Sequence, residues 1–168
     1  MRVERFSVDT DADVVEYVAS FYSDTDARSY TNGRPDQYPD LAAWSGTFGT
    51  LGRHAWIAYY HDWTDPVALV GLRDYGEPGT AELFITVARH HRGHGHGREL
   101  AWQGAQMGHV LGYHRIEARV DVENVAGLGC FQRAGYTFEG IQRALLHQRP
   151  TGTVRRDYAL YATLMADA

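Results

Sequence analysis

Residues His90 to Arg98 read His-His-Arg-Gly-His-Gly-His-Gly-Arg, a stretch dense in groups that can do chemistry. Glycines placed where a strand runs into a helix let main-chain N–H groups converge on one point. The helix N-terminus adds about half a positive charge there. Such a bend binds phosphate. The two-residue spacing of Gly93, Gly95 and Gly97 is not the dinucleotide G-x-G-x-x-G fingerprint, and no Gly-Lys-Ser/Thr follows as in a nucleotide P-loop. A flexible turn would use glycines in the same way. The imidazoles of His90, His91, His94 and His96 raise a second chemistry, the chelation of zinc or nickel. No carboxylate or cysteine joins them at ligand spacing, so no metal is expected. The rings instead line the bend and, partly protonated at about pH 6.5, add to its attraction for phosphate.

A bend of this kind works only if a strand delivers the chain to it and a helix carries the chain away. Both are legible. Ala81 to Ala88 is a strand-like run ahead of the bend; behind it Leu100, Gly104, Met107 and Leu111 fall on one helical face that Gly112 closes. His54 to His61 and Val67 to Asp74 are two earlier strand-like runs. The turns Asp62-Trp63-Thr64-Asp65-Pro66 and Gly76-Glu77-Pro78-Gly79 join all three into an antiparallel meander. At the amino end Val3 to Val8 alternates as a short strand. Thr10 follows as N-cap, with Asp13 three residues on, before Val14, Tyr17, Val18 and Phe21 at helical spacing. Ser23 to Gly52 dissolves into Asp, Gly, Pro, Tyr and Ser, with one short helix near Leu41 to Phe48. The carboxyl half predicts a strand at Arg115 to Val122 and a short helix from Val125 to Ala134, closed by Gly135. Strands at Tyr136 to His147 and Arg155 to Met165 follow, around Pro150-Thr151-Gly152. The order βα, βββ, αβ, αββ is that of an α/β domain with a mixed sheet.

Composition bounds the rest. A chain of 168 residues, 44% hydrophobic and 22% charged, suits one domain spanning 1–168 that needs neither disulfide nor metal to hold its core. The lone Cys130 between Leu128 and Phe131 reads as a buried thiol in a reducing compartment. Net charge is -5, and the sixteen basic residues, all arginine, form no basic run, so nucleic acid is not expected as a partner. Arg2, Glu4, Arg5 and Asp9 interrupt the first ten residues, so neither a signal peptide nor a membrane span is expected and the location reads as cytoplasmic.

Arg92-Gly93-His94-Gly95-His96-Gly97 resembles the Arg/Gln-x-x-Gly-x-Gly/Ala loop with which the GNAT N-acetyltransferases grip the pyrophosphate of acetyl-CoA. Ala81-Glu82-Leu83-Phe84 is similar to the Ala-Glu-Ile-Gly strand start of the Rim-type branch, which acetylates ribosomal-protein N-termini. His114-Arg115-Ile116-Glu117-Ala118, Asn124 and Arg133-Ala134-Gly135-Tyr136 resemble that branch's Arg-Ile-Glu-Ala strand, its Asn and its Lys-x-Gly-Phe. Glu139-Gly140 with Arg143, and Asp157, resemble its Glu-Gly-x-x-Arg and late Asp.

The resemblance implies a GNAT fold: a mixed central sheet of about seven strands, splayed in the middle and flanked by about four helices. It implies acetyl-CoA as cosubstrate, without metal, and direct acetyl transfer to a primary amine of a small molecule or a peptide N-terminus. Val87 and Ala88 would face the pantetheine arm like an added strand. Arg92, Gly93, His94, Gly95, His96, Gly97 and Arg98 would surround the phosphates, and Arg133 would touch a CoA phosphate. Phe131 would pack beside the thioester, and Asn124 would stand at the catalytic centre against the cofactor. The attacking amine must be neutral, so a carboxylate or water chain has to take its proton. Glu82 is the first candidate, ahead of Glu117, Asp121 and Glu123; a strand glutamate in a cross-strand pair is the other reading of Glu82. Many family members place a Tyr seven residues after the Asn to protonate the leaving thiolate, and the ribosomal branch often has a Ser three residues after it. Here those positions hold Phe131 and Gly127, which cannot.

In this fold the stretch from Ser23 to Gly52 walls the acceptor side. With Tyr22 just ahead of it, Asp24, Asp26, Asp36 and Asp40 among Tyr30, Tyr38 and Trp44 would suit a cationic, antibiotic-like amine or a basic peptide, through Coulomb attraction and cation–π contact. A solvated loop with Asp at its turns is the alternative. The absent Tyr and Ser also keep open a non-catalytic CoA-binding or regulatory domain. Members of the family often pair, so a homodimer is a further expectation.

Overall fold

Apolar alternation lays down seven strands: β1 (Arg2–Arg5), β2 (Arg53–Tyr59), β3 (Ala68–Asp74), β4 (Thr80–Val87), β5 (Arg115–Asp121), β6 (Thr137–Arg149) and β7 (Gly152–Leu164). Four α-helices stand among the described residues: α1 (Ala12–Ser20), α2 (Leu41–Ser45), α3 (His96–Val110) and α4 (Val125–Arg133). The computed structural model describes residues 1–7, 9–22, 40–45, 48, 53–61, 64–74, 76–149 and 152–165.

The strands form one sheet in the order β1-β2-β3-β4-β5-β7-β6. Every neighbouring pair is antiparallel except β4 with β5. This is the expected α/β architecture, a mixed seven-stranded sheet flanked by four helices. Because side chains alternate along a strand, the sheet carries two apolar layers. Leu72, Leu83, Ile116, Val120 and Tyr161 pack under α3 and α4, together with Leu100 and Phe131. Ile57 and Leu69 pack on the other face with Phe6, Val18 and Trp44, beneath α1 and α2. Helix α3 lies close on the sheet because Gly104 and Gly108 face it: a Cβ at Gly104 would stand 2.5 Å from Leu83 Cδ1.

Element ends differ from expectation in ways the local chemistry explains. Asp11, not Thr10, is the N-cap of α1, its side chain accepting from the Asp13 N–H at 2.9 Å. Thr10 instead accepts from the Ser7 N–H at 2.9 Å. The two adjacent residues are near-equal caps, so tertiary fit chooses between them. Leu111, expected on the buried helical face, is exposed, and Ala101 and Ala105 take that place. The β6–β7 hairpin carries a bulge at Ala144 (φ 55), whose N–H donates to Asp157 Oδ1 at 2.8 Å. Among the described residues no helix is long and apolar enough to cross a membrane.

Candidate active site

β4 and β5 run parallel for three register pairs, Thr80↔Arg115, Ala81↔Ile116 and Glu82↔Glu117, and then part. What faces the gap follows from the phase of the flanking antiparallel ladders, where successive residues turn their N–H and C=O to alternate sides. The Ala88 N–H donates to the Val67 carbonyl at 2.9 Å, so Ala88, Thr86 and Phe84 turn their main chain toward β3. Ile85 and Val87 turn theirs toward the gap. On the far edge, the Val122 N–H donates to the Asp157 carbonyl at 3.1 Å, which leaves Arg119 and Asp121 facing the gap from β5. Two rows of main-chain donors and acceptors thus look at one another across an opening.

The bend lies at the end of the β4 row. After a 3-10 turn at Arg89–His91, Gly93 (φ 80) and Gly95 (φ 86) take left-handed conformations, and Gly95 is the N-cap of α3. A Cβ at either glycine would meet nothing within 4 Å, so the backbone angle, not crowding, demands glycine, and the space in front of the bend is open. Helix geometry gives the N–H groups of His96, Gly97 and Arg98 no acceptor within their own helix. Gly97 brings this first turn against the rim of the gap: a Cβ there would lie 3.3 Å from Cys130 Sγ and 3.9 Å from Val87 Cγ2. The Arg92 guanidinium folds back, its Nε donating to the Val87 carbonyl at 3.1 Å, and so ties the bend to the end of β4.

On the sheet face shared by Glu82, Phe84 and Thr86, charges alternate in a row across three strands. Arg73 Nε donates to Glu82 Oε2 at 2.7 Å, and Arg119 Nη1 stands 3.4 Å from Glu82 Oε1. Arg119 Nη2 donates to Glu117 Oε2 at 3.0 Å, and Arg115 Nε to Glu117 Oε1 at 2.8 Å. Arg115 also holds Glu139 on β6, and that hydrogen bond keeps the Glu139 carboxyl below its ordinary range.

A family model for the acetyltransferase (GNAT) family matches residues 18–136. The chain belongs to the GNAT acetyltransferase family. Its fold is shared with ribosomal-protein-S5-alanine acetyltransferase from Vibrio fischeri, at 14% identity and TM-score 0.78 over 98% of this chain and 93% of that one. Spermidine N-acetyltransferase from Vibrio cholerae, solved in complex with CoA and spermine, is 16% identical, with TM-score 0.76 over 97% and 94%. A GNAT acetyltransferase from Bacillus anthracis is 20% identical, with TM-score 0.75 over 96% and 93%. No curated protein matches the chain. The ribosomal enzyme is thus one fold relative among several acetyltransferases, and the likeness does not single out that branch.

In this GNAT chain the expected cofactor residues divide. Val87 and the bend come together at one end of the gap, where a Cβ at Gly97 would lie 3.9 Å from Val87 Cγ2, and Arg98 and Arg133 line a cavity at the α3 N-terminus together with His94, Gly95 and His96 of the bend. Ala88 does not face the gap: its N–H is used by Val67 and its side chain is buried on the opposite face. Arg92 bonds the main chain of Val87. Asn124 is the N-cap of α4, its Oδ1 accepting from the Gly127 N–H at 2.9 Å. A Cβ at Gly127 would lie 2.7 Å from Asn124 Nδ2 and 2.8 Å from Val120 Cγ1, so this cap leaves no room for the serine of the ribosomal branch. Phe131 is a core ring, stacked on Tyr161 and edge-on to Tyr136. The Tyr136 hydroxyl donates to the Ala101 carbonyl at 3.1 Å, and burial raises its pKa.

Of the expected acceptor residues, Tyr22 is 5% exposed, with Thr86 Oγ1 donating to its hydroxyl at 3.2 Å, so it packs under the sheet rather than walling a site. Asp24, Asp26 and Tyr30 lie outside the described residues. Asp121, 1% exposed, pairs with Arg156 at 3.0 Å, and Glu123 meets the same guanidinium. Sequence reasoning missed the arginines Arg73, Arg119 and Arg156. The Arg115-x-Glu117-x-Arg119 alternation along β5 was the available signal, since residues two apart share a face.

The cavity at the α3 N-terminus has a volume of about 920 Å³, and its lining includes Tyr60, His91, His94, Gly95, Arg98 and Arg133. Burial, reinforced by the neighbouring histidines, lowers the pKa values of His91 and His96. Among the described residues no group of three or more His, Cys, Asp or Glu side chains could hold a metal ion.

Proposed function

We propose that the chain is an acetyl-CoA-dependent N-acetyltransferase that passes acetyl directly to a primary amine, of a small molecule or a peptide N-terminus, within one domain spanning 1–168. The observation that carries this reading is the parting of β4 and β5 beside a glycine bend that opens a helix.

The residues present suit such a cosubstrate. The left-handed glycines leave open space before unsatisfied N–H groups, which matches a diphosphate. Ile85 and Val87 offer main-chain partners to an amide-rich arm, as an edge strand does to an added strand. Acetyl-CoA supplies an acyl group activated as a thioester.

Glu82 is the proposed base. It belongs to the last register pair before the gap, Arg73 and Arg119 fix its position, and it takes the proton of the incoming ammonium, directly or through a water. Gap-facing N–H groups of β4 offer hydrogen bonds to the charge that develops on an acyl oxygen, a kind of contact whose loss costs about 3 kcal/mol in hydrolases. Phe131 has no proton to give and the Tyr136 hydroxyl is engaged by the Ala101 carbonyl, so a water or another tyrosine protonates the departing thiolate.

The test is to mix the protein with acetyl-CoA and a panel of amines and peptides and to follow free thiol. Amine-dependent thiol release is expected. Tight CoA binding without turnover across the panel would favour a binding or regulatory domain.

A further inference from the structure

Phe84 on β4 stands directly opposite Gly71 on β3. Such a pair puts both side-chain positions on one face of the sheet. With no side chain on Gly71, the Phe84 ring lies down over β3: a Cβ at Gly71 would stand 2.2 Å from Phe84 Cζ and 2.7 Å from its Cε1. Gly71 is not one of the left-handed glycines, and a glycine inside a strand weakens it, so the ring is what this glycine accommodates. The ring is half-buried, with Phe48 as its aromatic neighbour at 6.1 Å between centroids. Glu82, two residues back along β4, shares the same face about 7 Å away. Beyond Phe84 the same face is closed by buried Thr86, bonded to Tyr22. The floor beside Glu82 is therefore apolar, flat and partly open. The carboxylates of the charged row each already hold an arginine: Glu82 has Arg73 and Arg119, Glu117 has Arg119 and Arg115, and Glu139 has Arg115.

Resting on the reading that Glu82 takes the proton of the acceptor, we propose that Phe84, laid flat by Gly71, determines which acceptor is used. The acceptor is a small monoamine that carries an aromatic ring one or two carbons from its nitrogen. A hydrogen bond of about 2.8 Å from that nitrogen to the Glu82 carboxylate leaves about 4 Å before the carrier passes over the Phe84 ring, the span of one or two carbons. There an aromatic carrier packs offset or edge-on against Phe84 and buries apolar surface of both rings. The second ammonium of a polyamine would find, among the carboxylates of this row, only groups already neutralised by arginine. The acceptor assigned on this face thus differs from the cationic one that the acidic stretch after Tyr22 led the sequence reading to expect.

Thiol release from acetyl-CoA with 2-phenylethylamine, n-propylamine and spermidine tests this. For 2-phenylethylamine kcat/KM is expected to be at least about tenfold above that of either other amine. Phe84→Ala should lower it at least about tenfold, chiefly by raising KM, and erase the lead over n-propylamine. Phe84→Leu, which keeps an apolar side chain, should retain part of the lead. Calorimetry with acetyl-CoA shows whether each variant is folded and loaded, because the Phe84 main chain turns to β3 and away from the gap. If Phe84→Ala does not fold, the ranking of the three amines in the parent and in Phe84→Leu decides. Equal values for the three amines, a preference for spermidine, or a lead that survives Phe84→Ala would overturn the proposal and leave the acetyltransferase reading standing. If 2-phenylethylamine is inert while another amine of the wider panel is acetylated, the proposal falls alone. If acetyl-CoA binds and no amine of the panel is acetylated, the acetyltransferase reading falls and this assignment with it.

Discussion

Arg119 on β5 reaches back to Glu82 on β4, its Nη1 3.4 Å from Glu82 Oε1 while its Nη2 donates to Glu117 Oε2 at 3.0 Å. Glu82 and Glu117 are the last register pair of the parallel ladder, so without the arginine two carboxylates would face each other where the sheet begins to open. One guanidinium thereby fixes the vertex of the gap.

Arg119→Met should expose that arrangement. Both carboxylates are largely buried, at 10% and 11% side-chain exposure. Removing the shared cation should cost about 2 kcal/mol in urea unfolding, the worth of a charged hydrogen bond, because Arg73 and Arg115 still hold the two carboxylates. A loss no larger than that of an exposed pair, about 0.5 kcal/mol, would mean that the clasp is ornamental.

Two substitutions at Gly95 separate backbone strain from charge. Its φ of 86 and the open space at its Cβ position mean that Gly95→Ala should fold, with about 1 kcal/mol lost to the left-handed conformation. Gly95→Glu should melt similarly but lose acetyl-CoA binding, because it sets a carboxylate where the diphosphate belongs. Thermal melts paired with calorimetry check both; undiminished binding by Gly95→Glu would remove the bend from the account.

The order of elements, the bend and the closing glycines Gly112 and Gly135 were legible because each rests on local periodicity or a local backbone need. The orientation of residues at the gap was not. Whether Ala88 or Ile85 turns its main chain to the opening depends on the phase of the β3–β4 ladder, which alternation along β4 alone leaves undetermined. Likewise Arg73 and Arg119 meet Glu82 only through the pairing of three strands, and Asn124 is spent on capping α4, a role its sequence neighbours suggest no more strongly than a catalytic one.

Glu139 gives a pH prediction. Its carboxyl is held below the ordinary range by the hydrogen bond from Arg115, so the folded state binds that proton less readily than the unfolded chain. The stability it contributes is fully present above the ordinary carboxylate range and is lost as the pH falls through the lowered value. The gap in unfolding free energy between the parent and Glu139→Gln should therefore be about 1 kcal/mol at neutral pH and should close as the pH falls below the ordinary carboxylate range. A gap that widens in acid would contradict the pairing.

Glu82→Gln should lower turnover about a hundredfold at neutral pH and recover part of it at higher pH, where more of the amine is already neutral. Steady-state rates across pH, with acetyl-CoA affinity measured alongside, separate this from a lost cofactor site. A pH profile parallel to that of the parent would exclude Glu82 as the base.

The most direct measurement is amide hydrogen exchange with and without acetyl-CoA. Slowed exchange at Ile85 or Val87 on the strand edge, together with Gly95 to Gly97 at the helix start, is the predicted result. Binding that leaves all of these amides unprotected would contradict the account.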